Sequence, residues 1–135
     1  MEHECGVVHF EMPFDDENRV TEFYKSVFGW GMVSLGEPMG NYVLASTGDN
    51  DEKGFPLTRG RINGGFFPKS ASPSQHPSVV IHVSNIEQTM QQISNAGGKV
   101  LGEPVMIPGQ GLYVSFMDSE GNFVSIIQPN EDMLY

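Results

Sequence analysis

The stretch Gly111–Pro129, GLYVSFMDSEGNFVSIIQP, limits the possible folds most, because it writes a complete two-stranded hairpin without interruption. Leu112, Val114 and Phe116 alternate with Tyr113, Ser115 and Met117 at the period of two that sends successive side chains to opposite faces of a strand. Asp118-Ser119-Glu120-Gly121-Asn122 supplies the turn and Phe123–Gln128 returns. A weaker copy lies upstream. Gly40–Ala45 follows the pattern of Gly111–Phe116, and Asn63–Pro68 follows Val124–Pro129, with the polar insertion Thr47–Arg61 in place of the tight turn. The chain reads as one unit used twice.

The segments before each hairpin support the repeat. Gly6–Met12 alternates as a first strand, and Asp15-Asp16 suits the start of a helix, where carboxylates meet free backbone N–H groups. Val20, Phe23, Tyr24, Val27 and Phe28 lie on one helical face, and Gly29 ends the helix. Trp30–Leu35 and Asn41–Ser46 are the next two expected strands, while the charged run Asp49–Gly54 reads as a mobile solvated loop. In the second copy Ser78–Val83 is a strand and Ser84-Asn85-Ile86-Glu87 has the S-x-x-E form of a capping box. Ile86, Met90 and Ile93 then keep helical spacing up to Gly97-Gly98, and Lys99–Met106 is a strand. Each half is therefore strand, helix, strand, strand, strand. Lys69–Pro77, with two prolines and three serines, marks a linker between them.

Composition narrows the function classes. Seventeen acidic against seven basic side chains give a net charge of −10, which repels phosphate backbones, so no nucleic-acid partner is expected. A single cysteine, Cys5, allows no intrachain disulfide, and the neighbouring Glu2 and Glu4 make it a poor nucleophile. The opening MEHECGVVHF has neither a basic leader nor a long apolar run. A cytoplasmic protein with no membrane attachment is the expectation.

Four motifs in this order resemble the glyoxalase/bleomycin-resistance/extradiol-dioxygenase, or vicinal-oxygen-chelate, superfamily. They are Val8-His9-Phe10-Glu11-Met12-Pro13 with Asp16, the helix exit Phe23–Trp30, the second exit Ala96–Val100, and the closing Asp118–Phe123. The resemblance implies an α+β fold of paired βαβββ modules forming a curved, partly open, eight-stranded mixed sheet with helices on its outer face. Residues 1–135 would then be a single glyoxalase-like domain, with module 1 at 6–68, a linker at 69–77 and module 2 at 78–129. It also implies a homodimer and a small-molecule cavity on the concave face.

Metal-dependent members of the superfamily draw one ligand from the first strand and one from the last strand of each module. Carried over, those positions fall on His9, Gly64, Ser78 and Ser125. Glycine offers no side chain and neutral hydroxyls are poor ligands, so no metal is expected. His82 faces the same way as Ser78 but stands four residues along, about 13 Å at a strand's rise. The expectation is a protein that binds or sequesters a small, partly apolar ligand, with His9, Glu11, His82, Ser78, Ser125 and Tyr113 around it. The alternative is an enzyme of lyase, isomerase or dioxygenase type, using either a divalent metal held by His9, Glu11 and His82 or a His9/Glu11 acid–base pair. Otherwise His9 is a hydrogen-bonded wall residue and Glu11 points to solvent. Trp30, Tyr42, Phe66, Phe67 and Tyr113 are candidate stacking surfaces, and Gly64-Gly65 marks close approach within a sheet.

Overall fold

The structure, a computed structural model, describes residues 5–70 and 75–130. Residues 71–74 of the expected linker, and Glu2 and Glu4 beside Cys5, lie outside the described residues. The elements run β1 (Val7–Phe14), α1 (Glu17–Phe28), β2 (Gly31–Ser34), β3 (Val43–Ser46), β4 (Asn63–Pro68), β5 (Ser78–His82), α2 (Ile86–Asn95), β6 (Lys99–Ile107), β7 (Gly111–Met117) and β8 (Phe123–Pro129). Parallel and antiparallel pairings both occur, so the α+β class with mixed sheet pairing is as expected. Two compact units carry it, His9–Pro77 and Met1–Val8 with Ser78–Tyr135.

In the unit His9–Pro77 the strand order is β2-β3-β4-β1. β1 pairs with β4 in parallel and β3 runs antiparallel to both β2 and β4. Asp16 caps α1 by accepting from the Arg19 N–H at 2.9 Å, and Gly29 ends it in the left-handed region at φ 73°. Val20 and Tyr24 pack against buried Phe14, Val43, Ala45 and Phe66, with Phe10, Met12, Trp30 and Met32 around them. The apolar stripe is wider than the surface α1 covers. Phe23, Val27 and Phe28 remain 53, 56 and 59% exposed, although Phe23 and Phe28 still touch the Tyr24 ring.

The expected mobile loop is structured instead. The Asp51 carboxylate accepts from the N–H groups of Lys53 and Phe55, Asn50 bridges to Pro56, and Asn63 donates its amide to Asn50. Asp and Asn side chains supply the turn bonds that the missing apolar residues do not.

The other unit repeats the plan with order β5-β8-β7-β6. β5 pairs with β8 in parallel, and β7 runs antiparallel to β8 and β6. Its core is Val83, Ile86, Val114, Phe116 and Ile126, with Met90 and Ile93 of α2 packed against it. The cap of α2 is Asn85 rather than Ser84. Asn85 accepts from the Gln88 N–H at 3.0 Å, and the Ile86 N–H donates to the Gln128 side-chain carbonyl at 2.8 Å. Ile86 is fully buried, which fixes the first helical residue there and leaves Ser84 exposed outside the helix.

At the β7–β8 turn the Asp118 carboxylate accepts from the side chain and N–H of Asn122 and from the Glu120 N–H. These bonds hold its pKa below the usual carboxylate value. At the other end of β7, Gly111 has φ 146°, and a Cβ there would collide with the backbone of Gln128 and Pro129. Gly111→Ala is expected to lower unfolding free energy by about 1–3 kcal/mol, measured by urea titration. A loss below a few tenths would contradict this packing.

Candidate functional site

Along β1, Phe10, Met12 and Phe14 belong to the core under α1. His9 and Glu11 therefore face the opposite side of the strand. Tyr42 precedes Val43, a core residue with no exposed surface, and so is turned to that same side. Its hydroxyl joins the two β1 residues: His9 Nε2 lies 2.9 Å from Tyr42 Oη, and Tyr42 Oη donates to Glu11 Oε2 at 3.2 Å. Glu11 is thus drawn into a bridge rather than left pointing to solvent.

Two glycines make the arrangement possible. A Cβ on Gly65 would overlap the Tyr42 ring, and a Cβ on Gly64 would overlap the Phe10 ring. Gly64, carried over as the last-strand ligand position, lies on the side of Phe10 and the core. Gly65 is the position sharing a face with His9 and Glu11. Neither carries a side chain.

His9 is partly buried, and desolvation of its ring lowers the pKa from 6.5 to about 4. The imidazole is neutral at physiological pH.

In the other unit the face away from α2 carries Ser78, Val80 and His82 from β5, Tyr113 and Ser115 from β7, and Ser125 from β8. Tyr113 Oη donates to Ser125 Oγ at 2.8 Å, and the Ser115 and Ser125 hydroxyls are also 2.8 Å apart. Ser125 is fully buried and Val80 is its neighbour on β5. The Ser78 hydroxyl is buried with no hydrogen-bond partner among the described residues. The His82 N–H donates to the Gly6 carbonyl at 2.9 Å, binding the start of the chain to β5.

The six expected residues therefore fall in two sets, His9 and Glu11 in one unit and Ser78, His82, Tyr113 and Ser125 in the other. Tyr42 is the member that reading the sequence missed as a bridge. The signal for it was present, since two consecutive glycines in a strand leave room for a large neighbour on each face.

These donors do not fit a divalent cation. His9 and Glu11 share Tyr42, Ser125 is held among hydroxyls, and no three His, Cys, Asp or Glu side chains converge among the described residues. On the opposite side of Ser125's sheet, a cleft of about 480 Å³ beside α2 is lined by Cys5, Ile81, Gln88, Gln92, Phe116 and Ile126 among others. It contains no histidine or carboxylate. No helix among the described residues is long and apolar enough to cross a membrane.

The bleomycin-resistance-protein-like N-terminal family matches residues 7–48. A mycobacterial protein named as a glyoxylase, CFP32, from Mycobacterium bovis and Mycobacterium tuberculosis, is 26% identical over 120 residues. The match covers 88% of this chain but 42% of the relatives, so the chain spans less than half their length. Among solved structures, Mycobacterium tuberculosis methylmalonyl-CoA epimerase has a TM-score of 0.66 at 13% identity, covering 98% of this chain and 94% of its own. A Streptomyces coelicolor methylmalonyl-CoA epimerase variant with 2-nitronate-propionyl-CoA scores 0.69 at 13% identity, covering 97 and 99%. The hypothetical protein BH1468 of Bacillus halodurans scores 0.67 at 14%, covering 96 and 98%. The structural likenesses speak for the fold alone. All of these matches fit the vicinal-oxygen-chelate, or glyoxalase/bleomycin-resistance, superfamily.

Proposed function

We propose that this chain is a small-molecule-binding member of the superfamily whose metal site has degenerated, holding or sequestering a partly apolar ligand. The observation that carries the reading is the Tyr42 bridge, which ties together the two β1 side chains best able to ligate a cation. The partly buried Tyr113–Ser125–Ser115 cluster supports it, because neutral hydroxyls orient a polar group without requiring a charge. A homodimer in the cytoplasm, without nucleic acid or membrane as partner, completes the proposal.

Elemental analysis of protein purified without chelator tests it. Substoichiometric zinc, iron, cobalt, nickel, manganese and magnesium are expected. One equivalent of a divalent ion, lost in His9→Ala, would overturn the reading.

A second reading, a metal-free acid–base enzyme, is favoured by one specific feature. A neutral imidazole joined through a hydroxyl to a carboxylate has the layout of a base and its orienting group. Turnover of any substrate that falls in Glu11→Gln and vanishes in a folded His9→Ala would move the proposal to that class.

A further inference from the structure

We propose that Asn63-Gly64 is a latent deamidation site, kept inert by the folded state, and that its conversion to aspartate or isoaspartate releases segment 47–56 from β4.

Asn63 is the one asparagine in the sequence that is followed by glycine. In such a pair the Gly64 backbone nitrogen can attack the Asn63 side-chain carbonyl carbon, and the missing Cβ leaves that approach unhindered. The new C–N bond closes a cyclic imide as the bond from that carbon to Nδ2 breaks, and ammonia leaves with the proton of the Gly64 N–H. Water then adds to either carbonyl of the imide. One opening gives aspartate, the other isoaspartate, whose main chain runs through the former side chain.

Two separate demands of the fold put this labile pair here. At position 64 a Cβ would collide with the Phe10 ring, so glycine is required. At position 63 the side chain has to accept and donate at once. Asn63 Oδ1 accepts from the Thr47 N–H at 3.0 Å, while Nδ2 donates to the Gly54 carbonyl at 3.2 Å and to Asn50 Oδ1 at 2.9 Å. A backbone N–H can only donate and a backbone carbonyl can only accept, so the orientation of the carboxamide is fixed. Asn50 extends the network by donating from Nδ2 to Ser46 Oγ at 3.0 Å. Segment 47–56 is thereby tied to the end of β3 and the start of β4 through two carboxamides.

The same bonds protect the pair. Ring closure has to turn the Asn63 carboxamide away from three partners and draw Gly64 out of its place between Phe10 on β1 and Ala45 on β3. Both happen only when this part of the sheet opens, so the folded chain reacts at a rate set by that opening. After conversion the donor is gone. In the aspartate product a carboxylate oxygen stands where Nδ2 stood and faces the Gly54 carbonyl and the Asn50 oxygen, acceptor against acceptor. Isoaspartate also adds an atom to the main chain of a strand that is paired on both sides.

Peptide mapping by mass spectrometry tests the site, with the full chain held in warm, mildly alkaline buffer with and without guanidinium chloride. Asn63 is expected to convert first among the asparagines in denaturant and at least about tenfold more slowly in the folded chain. Equal rates in the two conditions, or another asparagine converting first in denaturant, overturn the proposal. Asn50→Ala removes one acceptor from the Asn63 carboxamide and is expected to speed conversion in the folded state several-fold; an unchanged rate overturns the protective role of the network. Trypsin reads the release of the segment. Cleavage after exposed Lys53 is expected to be at least about tenfold faster in Asn63→Asp than in wild type, with cleavage after exposed Lys99 in the other unit unchanged. Asn50→Ala, expected to be cleaved faster at the same place, decides the matter if Asn63→Asp does not fold. Wild-type cleavage after Lys53 in either folded variant overturns the release.

Discussion

Phe66→Ala is expected to lower the free energy of unfolding by about 3–5 kcal/mol, the range for truncating a fully buried aromatic. Phe66 is 1% exposed, lies 5.0 Å from the Tyr24 ring and meets Phe10 edge-on at 6.2 Å. Its removal takes away those contacts and opens a void between α1 and the sheet that flanking Gly64 and Gly65 cannot fill. For a small domain with a typical stability of about 5–15 kcal/mol, the loss is a large part of the whole. Urea unfolding followed by the fluorescence of Trp30, the single tryptophan, reports on this cluster directly, because its ring stacks on Tyr24 at 4.8 Å. A change under about 1 kcal/mol would contradict the packing described.

Acidification is expected to destabilise the protein between about pH 6.5 and 4 through His9. The folded ring has a pKa of about 4 because burial disfavours its charged form, against 6.5 when it is solvated. Between those values the unfolded chain holds a proton that the folded one does not, so stability rises with pH across the window and falls as pH drops. Below about 4 both states are protonated and the loss levels off. The shift corresponds to at most roughly 3 kcal/mol, and partial exposure of the ring places the expected effect at about 2–3. The difference between wild type and His9→Gln, followed by thermal unfolding from pH 7 to 4, isolates this contribution from the other histidines. Parallel pH profiles would show that His9 titrates normally.

How much of this could be read beforehand depended on whether one residue or several had to cooperate. The β7–β8 hairpin is written in strict alternation with Asp118 and Gly121 at its turn, so local pattern and final structure coincide. The α1 cap at Asp16 and exit at Gly29 were legible for the same reason. The α2 cap slipped by one residue because Ser84 and Asn85 both suit the role, and burial of Ile86 together with a carbonyl from distant Gln128 decides between them. Loop 49–54 looked featureless since its order comes from Asx side chains and from Asn63, not from apolar contacts.

The candidate site was legible as residues and illegible as a network. His9 and Glu11 stand two apart on a strand, which fixes their shared face. Their connection is a tyrosine 31 residues beyond Glu11, and nothing local announces that pairing. Conversely, the alternation that placed Ser125 and Tyr113 on one face of the other unit also brought their hydroxyls within 2.8 Å, because β7 and β8 are adjacent in sequence and in space.

The paired glycines of β4 also bear on what it would take to build a cation site on this face. Any residue able to grip a cation at Gly65 would meet an aromatic ring already seated there, so a lone substitution would injure the protein before granting it anything. Shrinking Tyr42 would have to come first or arrive together with it, a two-step passage whose intermediate frees His9 from its partner.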